Sequence, residues 1–281
     1  MNDVIKEMNL QKERSKKSAN IETGDWIRVF KSNKEDFIGY SCLESDVRIT
    51  KYRELETKNG RKYHLVFDLT PFYPEGGGQV GDVGVLKGNN ESINILDTKK
   101  ENKLIIHLVD KLPENLSVTF RAMVNVDKRS SASKNHTATH LLHFALRDIL
   151  GDHVIQKGSL VNHKYLRFDF SHFSKISNED IKRIEKRVNR LILSNDSLKE
   201  HTDLSIDNAK KKGAIMLFGE KYEDTVRMIE FGESKELCGG THVNFTGEIG
   251  LFKILSEVSV SSGIRRIEAL TGLELLNHIN S

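Results

Sequence analysis

VTFRAMVNVDKRSSASKNHTATHLLHFALRDIL, residues 118–150, changes its hydrophobic period midway. Val118, Phe120, Ala122, Val124 and Val126 recur at every second position, the spacing that puts apolar side chains on one face of a strand. After Asp127 the spacing becomes three and four: Ala132, His136, Ala138, Leu141, Leu142, Ala145 and Ile149 fall on one helical face. Serines near position 130 offer an N-cap and Gly151 follows the end, so the pattern predicts a helix over about 131–150. A strand that hands over to a long helix marks the border between a sheet-rich part and a mixed one.

Upstream of that border the signals are those of strands. Trp26, Arg28 and Phe30 alternate with Ile27 and Val29, and another run starts at Val47. Asn59-Gly60 sits between two such runs as a hairpin signal, and Lys87-Gly88-Asn89-Asn90 separates Val83–Leu86 from Ile93–Leu96 in the same way. Residues 22–128 therefore read as a small, mostly antiparallel β-barrel or sandwich with a glycine-rich loop, the barrel being the form that the resemblance given below implies. Downstream, Ser177 with Asp180 three residues on caps a second helix whose stripe is Ile181, Ile184, Val188, Leu191 and Ile192. Strand-like runs at Tyr165–Phe170, Thr225–Phe231, Ile249–Val258 and Ile264–Leu270 make residues 129–281 a two-layer sheet-and-helix domain. The fold class expected is α+β. Residues 1–21 read as a polar helix that joins this chain to something else.

Composition excludes several classes. Of 281 residues, 37% are hydrophobic and 30% charged, too apolar for a disordered chain, and no apolar run approaches the ~20 residues needed to span a bilayer. The polar start lacks a signal peptide, so the expected location is cytoplasmic, with no membrane partner. Two cysteines, Cys42 and Cys238, cannot build a disulfide framework. The net charge of +3 does not announce a nucleic-acid binder. Four basic runs, Lys12–Lys17, Lys182–Arg190, Lys210–Lys212 and Arg265-Arg266, either meet phosphates or are solvated faces.

Chemistry concentrates in two places. His136-Thr-Ala-Thr-His140 sets two imidazoles one helical turn apart, either a half-site for a metal or two ordinary histidines. Cys238-Gly-Gly-Thr-His242 supplies a thiolate and an imidazole, and the glycines between them let the chain turn so that both side chains converge. One cysteine with three histidines suits tetrahedral zinc. The zinc-protease base is missing, because Thr137 stands where that motif has Glu. His143, seven residues after His136, could reach the same helix face and so competes with one of the four; it is read as a packing or supporting residue. The second place is Phe72–Asp82, with three successive glycines. It lacks the ending of a phosphate loop and is either a hairpin bend or the wall of a site.

These stretches resemble one family, the editing domain of alanyl-tRNA synthetase and its free-standing relatives. The likeness runs through Glu75–Asp82, His136–His143, Val154–Ser159, Leu166–Ser171, Gly219–Tyr222, Glu236–Val243 and Arg265–Gly272, about residues 22–272, and Met8–Lys17 resembles the helix that joins the tRNA-recognition region to that domain. The resemblance implies zinc on His136, His140, Cys238 and His242, and hydrolysis of seryl- or glycyl-tRNA for alanine, with the rest of the synthetase as partner. It implies a pocket lined by the catalytic candidates Thr139 and Gln156, with Gly76, Gly77, Gly78 and Gln79 as one wall. Asp169 and Arg167 are weaker catalytic candidates. Arg265 and Arg266, or Lys210–Lys212, would lie near the acceptor stem. An alanine pocket cannot strongly reject serine or glycine, so a second hydrolytic site has a physical purpose. Two other readings stay open: a threonyl-tRNA-type editing module, which shares the paired histidines and Cys-x-x-x-His, and a zinc-stabilised tRNA-binding module without turnover. No adenylate-forming core is recognisable, so the chain is not expected to charge tRNA by itself.

Overall fold

The computed structural model describes residues 22–32, 34–58, 60–88, 90–216 and 224–280. The expected helix over residues 1–21, the Met8–Lys17 and Gly219–Tyr222 matches, and Asn59 and Asn89 lie outside the described residues. The fold is α+β and divides into two units, one running up to Pro74 and resuming over Gly81–Asn125, the other made of Glu75–Val80 and everything from Val126.

The first unit holds strands β1 (Glu22–Thr23), β2 (Ile27–Arg28), β3 (Asp36–Phe37), β4 (Glu44–Thr57), β5 (Gly60–Phe67), β6 (Leu69–Thr70), β7 (Gly84–Lys87), β8 (Ser92–Glu101), β9 (Leu104–Val109) and β10 (Thr119–Val124). Hydrogen bonding runs β4-β10-β7-β8-β9-β5, and β5 pairs again with β4, so the antiparallel ladder returns to its first strand. Both hairpin signals mark real reversals: Thr57 faces Gly60, and the Gly88 N–H donates to Glu91 O at 2.9 Å. Val47, Ile49, Leu65, Phe67, Leu86 and Phe120 fill the core. Pairing shifts between Ile49 and Lys51, an irregularity that exchanges the two faces of β4. Val47 and Ile49 therefore point into the core, while Arg53 and Leu55 line the other face with His64 and Lys62 opposite them.

The quoted stretch changes state earlier than its pattern predicts. Phe120, Ala122 and Val124 are buried on β10, but Val126 is 57% exposed and opens helix α1 (Val126–Leu150). Ser130 and Ser131 lie inside that helix, so they are not its cap; Asp127 in the first turn favours the earlier start through the helix dipole.

The second unit continues with β11 (Gln156–Val161), β12 (Leu166–Ser171), α2 (Asn178–Leu193), β13 (Lys199–Ser205), α3 (Ile206–Lys211), β14 (Thr225–Phe231), β15 (Ser234–Leu237), β16 (Phe252–Ser261), β17 (Ile264–Thr271) and α4 (Gly272–Ile279). One antiparallel sheet runs β11-β12-β17-β16 and a smaller one β13-β14-β15. Phe168, Phe170 and Ile267 of the larger sheet pack on Leu141, Leu142 and Ala145 of α1 and on Ile184 and Val188 of α2. The cap of α2 is the expected one, since Ser177 Oγ accepts the Asp180 N–H at 3.0 Å. The run from Ile249 to Val258 is not one strand. Ile249 ends a single 3-10 turn, and Gly250 at φ +80° enters the left-handed region before β16 begins. β13, α3 and α4 were not signalled by periodicity. Among the described residues no helix is long and apolar enough to cross a membrane.

Candidate metal centre

α1 presents His136 and His140 on its buried face, and the segment after β15 brings Cys238 and His242 against them. One donor atom from each of the four lies within 4.8 Å of every other. Cys238 Sγ is 3.4 Å from both His136 Nε2 and His242 Nε2, and the three imidazole ring centres are 4.6–5.2 Å apart. Residues separated by about a hundred positions thus form one cluster, as the spacing arguments require.

The glycine-rich turn supplies the first supporting contact. Gly76 and Gln79 exchange backbone hydrogen bonds of 3.0–3.1 Å, and Gly77 (φ +57°) and Gly78 (φ +81°) both occupy the left-handed region that a tight hairpin turn demands. The stretch is therefore a hairpin bend, and its product is the placement of Gln79. Gln79 is fully buried, and its Oε1 accepts from the Thr241 N–H at 3.0 Å and from His136 Nδ1 at 2.7 Å. An acceptor there fixes the His136 proton on Nδ1 and leaves Nε2 as a lone pair facing Cys238. Gln79 Nε2 donates to Thr241 Oγ1 at 2.9 Å, and Ser133 Oγ lies 2.7 Å from the same hydroxyl.

His242 and His140 are held similarly. His242 Nδ1 stands 3.1 Å from Thr137 Oγ1, which also accepts the Val243 N–H at 3.2 Å. Glu236 Oε2 is 3.6 Å from His140 Nε2, while its Oε1 meets His143 Nδ1 at 3.0 Å. His140 Nδ1 is buried with no hydrogen-bond partner. His143, expected to pack or support, does so through Glu236 and against Phe168.

The Cys238 loop is shaped from two sides. Arg227 Nη1 donates to Cys238 O at 2.9 Å and Gly240 O at 2.8 Å, while its remaining donors hold Glu200. The Gly240 N–H points at Cys238 Sγ from 3.2 Å. Gly240 is required for closeness, not for a left-handed turn: a Cβ there would come within 2.0 Å of the His136 ring.

Burial first, then the mutual repulsion of the rings and the charge of Arg227, keep His136 and His242 well below the usual imidazole range; burial, too, lowers His140. Neutral imidazoles are the metal-binding form. Burial pushes the Glu236 carboxyl up, but His140 and His143 outweigh it and the group sits below its ordinary value.

The remaining predicted site residues are engaged elsewhere in the unit. Thr139, buried on α1, donates to Asn135 O at 2.8 Å, and Gln156 reaches Ser159 Oγ at 3.3 Å. Asp169 takes Arg266 in two bonds of 2.7 and 2.8 Å with Arg167 3.6 Å away, and Arg265 pairs with Glu257. The charges of Arg265 and Arg266 are thus already answered within the protein. Lys210 and Lys211 form the exposed last turn of α3. Glu236, Arg227, Glu200 and Ser133 were not singled out from sequence. Glu236 could have been, because it lies two residues before Cys238 and a strand places i and i+2 on one face.

Family models add identity to this geometry. Residues 1–130 match the model described as tRNA synthetases class II (A), and residues 226–268 match the threonyl and alanyl tRNA synthetase second additional domain. The class is thereby a synthetase-associated module with a His/Cys cluster. The alanine–tRNA ligase of Flavobacterium psychrophilum is 55% identical over 275 residues, 94% of this chain and 31% of that protein. Those of Bacteroides fragilis (53%, covering 95% of this chain and 30% of the relative) and Cytophaga hutchinsonii (55%, covering 94% and 30%) agree. The chain belongs to the alanyl-tRNA synthetase family and spans about 30% of the length of the curated relatives it matches.

Proposed function

We propose that the chain is the proofreading part of an alanyl-tRNA synthetase, hydrolysing the aminoacyl ester of alanine tRNA mischarged with serine or glycine. The observation that carries the reading is the convergence of His136, His140, Cys238 and His242 in a chain of this family. The closed ladder of the first unit is read here as the small barrel expected from sequence, and residues 22–128 and 129–281 as the two domains.

The residues fit a zinc ion. One thiolate and three neutral imidazoles are its preferred donors, a buried His140 nitrogen lacks a partner, and Gly240 leaves room against His136. His136, His140, Cys238 and His242 would hold it, and when bound it would supply a positive charge beside the ester site, with direct contact to substrate only if one of the four donors gave up its place. Gln79, Thr137 and Glu236 orient the imidazoles, the Gly240 N–H steadies the thiolate, and Arg227 fixes the loop that carries it. Thr139 and Gln156 are assigned to the amino-acid slot, where hydroxyl and amide groups can answer a serine side chain and leave alanine without a partner.

Incubating the chain with seryl-, glycyl- and alanyl-tRNA of the alanine type tests this. Release of serine and glycine with alanine spared is expected; no release from any of them overturns hydrolysis. The four-donor closure of the cluster favours the second reading, a tRNA-binding module whose ion is purely structural, and that module would bind tRNA and release nothing.

A further inference from the structure

The first unit carries a cavity of about 540 Å³ on one face of five adjacent strands, β1, β4, β5, β9 and β8, remote in sequence from the His/Cys cluster. Cross-strand register explains its composition. Arg53 faces His64, His64 faces Leu108 and Leu55 faces Lys62, while Lys99 faces Ile106 on β8 and β9, so these side chains share one side of the ladder. Leu55 and Ile106 are 2% and 3% exposed yet stand outside the core cluster of the unit, forming an apolar floor. Arg53, itself 8% exposed, is held by Glu101 and His64, its guanidinium 4.5 Å from the centre of the Trp26 ring.

Charge counts favour an anion. Arg53 is answered by Glu101 and Lys99 by Asp97, whereas Lys62 and Lys100 have no ion pair among the described residues. Burial, then the Arg53 charge, lower His64 to about 4, so its ring is neutral and flat at neutral pH. An apolar floor, a neutral imidazole, a fixed guanidinium and two spare ammonium groups are what a nucleotide needs: planar groups for the base, cations for the phosphate. The volume lies within the usual range for a small-ligand site.

We infer that this face is a second RNA-binding site, one that seats a nucleotide unit of the tRNA by its base and its phosphodiester, with Lys62 and Lys100 meeting the phosphate. The inference rests on the proposed tRNA substrate but not on hydrolysis.

The test is the salt dependence of binding of uncharged alanine-type tRNA to the full chain, followed by fluorescence anisotropy. Replacing both lysines (Lys62→Ala with Lys100→Ala) should weaken binding and reduce the slope of log K against log salt by roughly 1, the share of the one phosphate they meet. A charge-matched pair on exposed positions elsewhere, Lys111→Ala with Lys175→Ala, should change the slope by much less. AMP should displace tRNA from the wild-type chain better than inorganic phosphate at equal ionic strength. An unchanged slope in the Lys62/Lys100 variant, or equal competition by phosphate, overturns the site. A wild-type chain that binds no tRNA overturns the proposed function as well, so the two failures are told apart.

Discussion

Buried histidines occur in both units, and they are buried for opposite reasons. In the first unit, His107 is completely enclosed against Phe67 and Phe72, and both ring nitrogens are consumed: Nε2 lies 2.8 Å from Thr70 Oγ1 and Nδ1 lies 3.1 Å from Leu65 O. In the second, His136 and His242 each spend Nδ1 on a protein oxygen and keep Nε2 facing a thiol. The first arrangement is complete as it stands. The second lacks that closure, since three clustered imidazoles and a sulfur have too few protons to satisfy one another, and its four donors could hold a metal ion.

The sharpest way to break that contrast is to remove one donor from each kind of site. Cys238→Ala should reduce bound zinc from about one equivalent to less than ~0.1, measured by elemental analysis after purification, because the thiolate is the cluster's sole anionic donor. His107→Gln should leave the metal content unchanged. Full zinc in the Cys238 variant would remove Cys238 from the ligand set.

A smaller effect separates the ligands from what holds them. Glu236→Gln keeps shape but weakens the hold on His140 and His143, and roughly a tenfold to hundredfold loss of zinc affinity in a chelator competition is expected. An affinity equal to wild type would mean that the carboxylate serves packing alone.

How far these roles are readable from sequence follows the range of the contacts. The period switch at residues 118–150, the Ser177 cap and the two hairpins are local, so the elements they specify are where the pattern puts them, to within a few residues at the start of α1. The cluster was legible because each half carries its own short spacing. What completes the cluster was not. Gln79 meets His136 across 57 positions, a contact no local window contains, and Arg227 reaches the Cys238 loop only because the β14–β15 hairpin folds back on itself, which no spacing of residue types announces. β13 escaped notice for a different reason: Lys199–Ser205 is mostly polar and broken by Asp203 at φ +57°, so it has no alternation to detect. The two-residue β2 is shorter than its alternating pattern predicts, because after Ile27 and Arg28 pair with β4 the Val29 and Phe30 N–H groups both converge on Thr50 O and the ladder ends.

The complete histidine has a signature in acid. Burial lowers His107 to about 3, well below the ordinary imidazole value of 6.5. Between those values the unfolded chain binds a proton that the folded chain refuses, so stability rises with pH and is lost as pH falls below about 6.5. The contribution approaches about 1.4 kcal/mol per pH unit between pH 6 and 4. Unfolding in urea across that range should give a shallower acid limb for His107→Gln than for wild type. Identical limbs would show that His107 takes its proton in the folded state.

The smallest expected effect lies at the outermost layer of the cluster, and it measures how far the support of the four donors extends. Ser133 touches no ligand; its hydroxyl pairs with Thr241, Thr241 with Gln79, and Gln79 with His136. In Ser133→Ala, Thr241 Oγ1 still accepts from Gln79 Nε2, so no charged group loses its partner. A neutral hydrogen bond of this kind contributes about 0.5–1.5 kcal/mol to folding. Thermal unfolding should register a loss of that size while zinc affinity changes less than in Glu236→Gln. If Ser133→Ala instead lowers zinc affinity as strongly as Glu236→Gln, the Ser133-Thr241-Gln79 chain sets the orientation of His136 as a single unit, and the boundary between the metal's supports and ordinary core polar groups lies one layer further out.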